Sequence, residues 1–313
     1  MTQAGADLCT RLFRSTTDAM QAYRRAVVAS ASAESADALY RAAWTQLCGV
    51  LVAPGASLSL LDGLLGEHEL AGTDANLWPP AHFEVQTRAV AIPVRFWAAQ
   101  GIAMYAVDPA RVRAFLPDAY RSYQLNGKAL FALRITDYLF SDLGPYYEID
   151  VAFGVLPRQT RWPVPGTYAL QMLVTSPFAC KAGHVIWGYP KTVADLQIQY
   201  RGRSTAQCTV LNDAGKPSIV VGMSRGDRLL SSPRVPVFSY TQKDGQPFRT
   251  RIVRSGHHES VVLGGGGVQV QVHDDQHRIG HALRALGVDG MQPFFHLWTE
   301  RMGATLEHPH ALR

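Results

Sequence analysis

The chain has 313 residues, 47% of them hydrophobic and 18% charged, so it can bury a substantial core in one large domain or two modest ones. Its net charge of +5 comes with scattered arginines and no lysine-rich tract, which disfavours nucleic-acid binding and favours anionic small molecules as partners. The four cysteines lie far apart without a Cys-x-x-Cys pair, which is typical of free thiols in a reducing compartment rather than of a disulfide framework or a zinc site.

No stretch of the chain approaches the roughly 20 apolar residues that a membrane-spanning helix needs. The first turns of the sequence carry Asp7, Arg11, Arg14 and Asp18 among apolar positions, so they lack the uncharged core of a secretory signal peptide. We therefore expect a cytoplasmic protein that does not enter a membrane.

Residues 1–80 are predicted to form a helical N-terminal extension. Alanine is abundant there, and Leu8, Leu12, Tyr40 and Trp44 recur at helical spacing. The segment carries no catalytic constellation, so we expect it to contribute packing or oligomer contacts.

Residues 81–313 are predicted to form a mainly β domain. Short apolar runs alternate with turn residues, and Val268–Val272 shows the strict alternation of a half-buried strand. Two helices are expected, over Asp108–Phe115 and Ile279–Leu286. The other predicted strands cover residues 101–107, 129–135, 148–156, 168–174, 206–211 and 218–223.

Three features resemble ligand sites but have simpler interpretations. The glycine run 264–267 lacks the lysine and Ser/Thr of a phosphate loop, which favours a turn. His273, His277 and His281 are four residues apart, but a strand is predicted to end just before the first of them. In the segment 257–259, His-His-Glu alternates along a predicted strand, so neighbouring side chains face opposite ways. No metal site is expected.

One lysine lies inside a largely uncharged segment, residues 184–196, with the sequence HVIWGYPKTVADL. Lys191 follows Trp187 and Tyr189 closely, and lysine is rarely buried without a partner. Two interpretations remain open from these residues. Lys191 is either a solvated residue at a strand end, with its stem on Tyr189, or an amine kept neutral to act as a nucleophile.

The segment WGYPKT, with Gly183 upstream, resembles the active-site lysine segment of the acetoacetate decarboxylase family. Residues 142–148, DLGPYYE, resemble the family's Gly-x-Tyr-x-Glu segment, and the spacing between the two segments is similar. Residues 240–247 (YTQKDGQP) and 296–309 (HLWTERMGATLEHP) resemble later parts of the family. The resemblance covers about residues 85–313.

This resemblance implies a β-cone or closed barrel in which Lys191 forms a Schiff base with a keto acid or another carbonyl substrate, without a cofactor. It implies that Glu148 transfers protons or positions a carboxyl group. Substrate-binding roles are expected for Trp187, Tyr189 and Tyr146. Because members of the family assemble, a homo-oligomer is also expected.

The sequence departs from the decarboxylating members of the family at several positions. Thr192 replaces a second lysine, so any fall in the pKa of Lys191 is expected to come mainly from desolvation. Residues 133–135 lack an acid that decarboxylases carry, and Arg95 is the candidate for their early pocket arginine. We therefore expect aldol, dehydration or isomerisation chemistry rather than simple decarboxylation. The alternative is a non-catalytic carbonyl-binding or assembly protein that retains the fold.

Overall fold

The mainly β fold predicted from the sequence is confirmed. A computed structural model describes residues 81–158, 164–201, 205–225, 230–263 and 266–312. The predicted helical extension, residues 1–80, lies outside the described residues. The domain boundary at residue 80 therefore stays a prediction.

Seven strands close into a barrel because β7 pairs with β6 on one side and with β8 on the other. Around the barrel, the strands follow the order β7-β6-β3-β16-β14-β13-β8 and back to β7. All neighbouring pairs are antiparallel except the short parallel contact between β13 and β8. The bounds of the barrel strands are β3 Val94–Val107, β6 Lys128–Ser141, β7 Tyr146–Pro157, β8 Gly166–Val174, β13 Leu230–Lys243, β14 Gln246–Leu263 and β16 Phe295–Leu306.

Six short strands extend the barrel or stand beside it. A two-stranded ribbon pairs β1 with β2, while β4, β5, β9 and β17 add to the edges of β7, β6, β8 and β14. Their bounds are β1 Ala81–Val85, β2 Arg88–Ile92, β4 Tyr120–Ser122, β5 Gln124–Leu125, β9 Lys191–Val193 and β17 His310–Ala311.

A second antiparallel sheet of four strands has one buried face, and its apolar side chains join the same core cluster as part of the barrel. Its strands alternate buried and exposed positions, most regularly in Val268–Val272, because successive side chains point to opposite faces. This sheet follows the order β10-β11-β12-β15, with the bounds β10 Leu196–Arg201, β11 Thr205–Leu211, β12 Pro217–Ser224 and β15 Val268–Val272.

Both helices expected after residue 81 are present, as α1 Pro109–Arg113 and α3 Arg278–Ala285. A third helix, α2 Pro177–Ala182, runs directly into a π-helical turn at Gly183–Trp187, and neither was predicted. The two glycines and the β-branched residues of this segment obscure the helical periodicity in the sequence. No helix among the described residues is long and apolar enough to cross a membrane.

Candidate active site

The barrel encloses a cavity of about 540 Å³, which we call the barrel cavity. Most of its wall is apolar, and five charged side chains of the described residues line it. Three of these are cations and two are carboxylates. They are Arg134, Glu148, Asp150, Lys191 and Arg254.

The segment before Lys191 is fixed by local signals that the sequence encodes. Ser176 caps α2 with a hydrogen bond from the backbone N–H of Ala179, and Pro177 occupies the first helical position. The π-helical turn ends at Gly188, which has a φ of 69° that favours glycine. π-Helical turns occur frequently at functional sites, and this one leads within four residues to Lys191.

Several hydrogen bonds anchor this segment to the barrel. The indole N–H of Trp187 donates to the carbonyl of Glu307 at 2.8 Å, and the hydroxyl of Thr241 donates to the carbonyl of Trp187 at 2.6 Å. A ring nitrogen of His184 lies 2.6 Å from the carbonyl oxygen of Lys191. His184 thus contacts the backbone of Lys191 directly, and Trp187 ties the preceding turn to the barrel.

Gly183 leaves the space that the Lys191 side chain occupies. A Cβ atom at Gly183 would lie 2.7 Å from Cδ and 2.9 Å from Cε of Lys191, closer than real Cβ contacts. The glycine upstream of the lysine segment is thus explained by packing against the lysine stem.

One register row across the sheet brings distant parts of the sequence to the cavity wall. Lys191 pairs with Met172, Met172 with Asp150, Asp150 with Arg134, and Arg134 with Ile102. All five residues line the barrel cavity. Glu148 lies two residues before Asp150 on β7, so it shares the inward face.

Lys191 and Glu148 form a buried ion pair. The Nζ atom donates to Oε2 of Glu148 at 2.7 Å and to the hydroxyl of Tyr146 at 3.2 Å, while the hydroxyl of Tyr138 donates to Oε1 of Glu148 at 3.2 Å. The two side chains of the ion pair are 6% and 2% exposed. The rings of Tyr138 and Tyr146 stack with centroids 4.2 Å apart. The interpretation of Lys191 as a solvated strand-end residue is therefore wrong.

The ion pair determines the direction of the Lys191 pKa. Burial by itself would lower the pKa of Lys191, but the Glu148 carboxylate, through its charge and its hydrogen bond, raises it above the ordinary lysine value. Desolvation therefore does not lower the pKa of Lys191 in the ligand-free protein, because the Glu148 carboxylate stabilises the ammonium form. Burial raises the pKa values of Tyr138 and Tyr146 well above the ordinary tyrosine value, so both hydroxyls keep their protons.

A second buried pair joins Arg134 and Asp150. Nε and Nη2 of Arg134 donate to Oδ1 of Asp150 at 2.8 and 2.6 Å. Burial raises the pKa of Asp150 to about 6; Arg134 opposes this rise, and the neighbouring Glu148 carboxylate adds to it. Residues 133–135 thus contribute an arginine to the cavity instead of an acid, and the acid that pairs with it, Asp150, lies on the next strand.

The structure brings most, but not all, of the predicted site residues together. Lys191, Glu148, Trp187, Tyr189 and Tyr146 line the barrel cavity.

Arg95 is not among the cavity-lining residues. Its side chain is 57% exposed and pairs with Asp142 at 3.3 Å. Thr192 is also exposed, since it follows Lys191 on a strand and points to the opposite face. A lysine at position 192 would therefore point away from Lys191, so the proposed link between this position and the lysine pKa is not supported.

Several polar residues of the cavity wall were not predicted from the sequence, among them Tyr138, Arg134, Asp150 and Arg254. The two-residue spacing of Glu148 and Asp150 on a predicted strand could have indicated a second inward-facing acid. Nothing in the sequence alone indicated the arginines, because barrel closure and strand register decide which side chains line a common cavity. Among the described residues, no group of three or more His, Cys, Asp or Glu side chains could hold a metal ion.

A family model described as acetoacetate decarboxylase (ADC) matches residues 79–263, more than half of the chain. The chain belongs to the acetoacetate decarboxylase family. No curated protein sequence is significantly similar to it.

Two solved structures with TM-scores above 0.5 have the same fold. A structure of acetoacetate decarboxylase is 17% identical, with a TM-score of 0.52 over 78% of this chain and 96% of that chain. The enduracididine biosynthesis enzyme MppR, complexed with pyruvate, is 16% identical, with a TM-score of 0.51 over 71% of this chain and 90% of that chain. Acetoacetate decarboxylase from Legionella pneumophila is 16% identical, with a TM-score of 0.49 over 71% and 87% of the two chains.

Proposed function

We propose that this member of the acetoacetate decarboxylase family is a Schiff-base enzyme that acts on a keto acid or a related carbonyl compound, with Lys191 as the nucleophile. The observation that carries the proposal is the buried pair of Lys191 and Glu148 in the wall of the barrel cavity, with Nζ and Oε2 2.7 Å apart. Buried ionisable groups with strongly perturbed environments in a cavity are candidates for catalysis. The pyruvate complex of MppR supports a keto acid as the ligand class.

Glu148 is placed to make the lysine reactive by taking its proton. Transfer of one proton from Nζ to Oε2 gives a neutral amine and a neutral carboxylic acid, and the amine then attacks the substrate carbonyl carbon. A proton moves from nitrogen to oxygen within the adduct. The protonated Glu148 donates to the hydroxyl, which leaves as water, so that an iminium ion and an ionised Glu148 remain.

The iminium ion then acts as an electron sink for the next step. Loss of a proton from the neighbouring carbon to the Glu148 carboxylate gives an enamine. The Tyr138 and Tyr146 hydroxyls, which keep their protons, can hold the substrate oxygen or the Glu148 carboxylate during this transfer.

We favour carbon–carbon bond formation, dehydration or isomerisation over release of carbon dioxide. Decarboxylation is helped when the departing carboxylate is stripped of stabilising partners. The barrel cavity instead contains Arg134 and Arg254, two cations that would stabilise a retained carboxylate. Glu148 remains available as the proton carrier.

Trapping with borohydride tests the nucleophile. The protein is incubated with pyruvate or acetoacetate, reduced and analysed by peptide mass spectrometry, and we expect the added mass at Lys191. The Lys191→Met variant should form no adduct, whereas Lys181→Met, a change on α2 outside the cavity lining, should behave as the native protein. Absence of an adduct with any keto acid would contradict the proposal.

The reaction class is tested by two measurements on the same preparation. We expect deuterium exchange into the methyl group of pyruvate through the Lys191 enamine, with little release of carbon dioxide from acetoacetate. Rapid carbon dioxide release that depends on Lys191 would instead establish a decarboxylase.

One observation favours a second candidate function, a carbonyl-ligand binder without turnover. The raised pKa of Lys191 keeps the amine protonated in the free protein, and an ammonium group cannot attack a carbonyl. In that case ligands should bind in the cavity with neither adduct formation nor deuterium exchange.

A further inference from the structure

Arg254 is a cavity-lining cation whose hydrogen-bonding capacity is mostly unused. A guanidinium group has five N–H donors. In Arg254 only Nη2 has a hydrogen-bond partner among the described residues, since it donates to Glu259 at 3.0 Å and Thr299 at 3.4 Å. The buried Nε has no hydrogen-bond partner among those residues. Nη1 has no hydrogen-bond partner among those residues either and, unlike Nε, is not completely buried, so it is the donor that a ligand in the cavity can reach.

Two buried residues next to Arg254 hold its guanidinium group in place. The Glu259 carboxylate accepts from Arg254 and also from the hydroxyl of Thr299 at 2.8 Å. The residue before Glu259, His258, has a φ of 54°, which turns the strand locally. A Cβ atom at Gly256 would clash with the Glu259 carboxylate, so the glycine provides the space for this carboxylate. Glu259 and Gly256 thus fix the direction of Arg254.

The cavity around Arg254 has a large apolar wall and two guanidinium groups. Among the described residues three cations and two carboxylates line it, and a third carboxylate, Glu259, pairs with Arg254. Burial lowers the pKa of Arg254; Glu259 opposes this, and the positive charge of Arg134 lowers it further, which indicates that the two guanidinium groups repel each other. An anion between or beside them would relieve this repulsion. A cavity of about 540 Å³ lies within the range of roughly 300–1,000 Å³ that is typical for ligands much larger than pyruvate.

We propose that Arg254 is the carboxylate-binding group of the barrel cavity and that the substrate is a keto acid with an apolar body larger than that of pyruvate. This inference rests on the proposed function for the keto group, but the binding of the carboxylate does not need Lys191. The free N–H groups of Nη1 in Arg254 donate to the carboxylate, and the apolar wall contacts the body of the molecule.

The test uses two ligands that cannot form a Schiff base. Affinities of 4-phenylbutanoate and 4-phenylbutanamide are measured by calorimetry on the native full-length protein. The acid should bind at least about tenfold more tightly than the amide, because a hydrogen-bonded charge pair is involved. In Arg254→Met the affinity for the acid should fall by about 10- to 100-fold, with the amide changed less than about threefold.

Two further variants separate the loss of ligand binding from a loss of folding. Removing Arg254 alone leaves Glu259 as a buried unpaired charge, which can destabilise the fold. The double variant Arg254→Met with Glu259→Gln removes both charges and should show the same loss of acid binding. The matched control is Arg251→Met, on the same strand, where the arginine pairs with Glu307 and does not line the cavity. It should bind both ligands as the native protein does.

Borohydride trapping with 4-phenyl-2-oxobutanoate separates this inference from the proposed function. In the double variant the keto acid concentration for half-maximal adduct should rise about tenfold or more, while the maximal adduct at Lys191 is retained. An unchanged acid-to-amide ratio in the double variant would overturn the role of Arg254, even if Lys191 forms an adduct. Acid binding that depends on Arg254 without any adduct would leave the subsite standing and reject the Schiff-base function.

Discussion

At the scale of single residues, the protonation state of Lys191 is set by the balance between two opposing effects. Burial favours the neutral amine, and Glu148 at 2.7 Å favours the ammonium ion. The same carboxylate that suppresses the free amine is positioned to remove its proton when a substrate binds. Glu148 thus has both an electrostatic role and a proton-transfer role in the proposed mechanism.

Replacing Glu148 with glutamine separates these two roles. The pKa of Lys191 should fall in Glu148→Gln, because burial is no longer opposed by the carboxylate, and adduct formation with pyruvate should extend to lower pH. Deuterium exchange into pyruvate should slow by about 100-fold or more, since the proton carrier is lost. Adduct yield against pH and exchange measured by NMR report the two effects.

The matched control for this prediction is Glu307→Gln, which removes a carboxylate that pairs with Arg251 outside the cavity lining. It should change neither measurement. An unaltered pH profile in Glu148→Gln would show that the carboxylate does not control the lysine.

Asp150 gives the site a titration near pH 6. Its pKa rises from 3.8 to about 6 because of burial, so the folded state binds a proton more tightly than the unfolded state. Between about pH 4 and about pH 6 the unfolded chain binds fewer protons, and the Asp150 contribution to stability falls as pH rises through this window. We expect this contribution to change by at most about 3 kcal/mol. Denaturant unfolding of the native protein and Asp150→Asn at several pH values measures it. Identical pH dependence in both would contradict the assignment.

At the scale of elements, the segment from α2 through the π-helical turn acts as the support of Lys191. Its cap at Ser176, its left-handed residue Gly188 and the hydrogen bonds of Trp187 determine where β9 begins. Lys191 is the first residue of β9, and its register against Met172 on β8 turns the side chain into the cavity.

The contact between this segment and the lysine stem predicts the effect of Gly183→Ala. The added Cβ would lie 2.7 Å from Cδ of Lys191, so the lysine or the turn must shift. Because displacement of a reacting group by about 1 Å can cost about 100-fold in rate, we expect the rate of adduct formation to fall at least tenfold. The measurement is the rate of borohydride-trapped adduct at saturating pyruvate.

Gly222→Ala is the matched control for this change. Gly222 lies on β12, and an added Cβ there meets nothing within 4 Å. Both variants should fold, as judged by circular dichroism. A native rate in Gly183→Ala would mean that the lysine stem has room to move without consequence.

At the scale of the whole described domain, the barrel and the four-stranded sheet share one core cluster. Gly101 on β3 lies at their contact, because a Cβ there would come within 2.5 Å of Met223 Sδ on β12 and 2.8 Å of the Trp298 ring on β16. Gly101→Ala should therefore destabilise the protein by about 1–3 kcal/mol through overpacking. The free energy of unfolding in denaturant checks this, with Gly222→Ala again as the control. A stability equal to that of the native protein would show that the interface between the two sheets adapts freely.

Assembly is a further property of the whole molecule. The expectation of a homo-oligomer stays a prediction, which sedimentation of the full chain can test. The cytoplasmic location likewise stays a prediction.

The sequence by itself determined the mainly β class, the positions of several strands and the candidate lysine, because alternation of apolar residues and short motifs are local properties. Val268–Val272 illustrates this, since its alternation alone defines a strand with one buried face. The pair of Lys191 and Glu148 was also accessible, through the resemblance of two short segments to one family.

Only the tertiary structure decided which charges face each other. Arg134 and Asp150 are 16 residues apart, and Arg254 comes from a strand more than 100 residues later, yet all three line one cavity. Arg95 does not line that cavity, because the structure places its side chain at the surface beside Asp142. The direction of the pKa shift of Lys191 depends on the competition between burial and a carboxylate 43 residues away in the sequence. The distance in space between Nζ and that carboxylate is fixed by barrel closure and strand register rather than by local sequence.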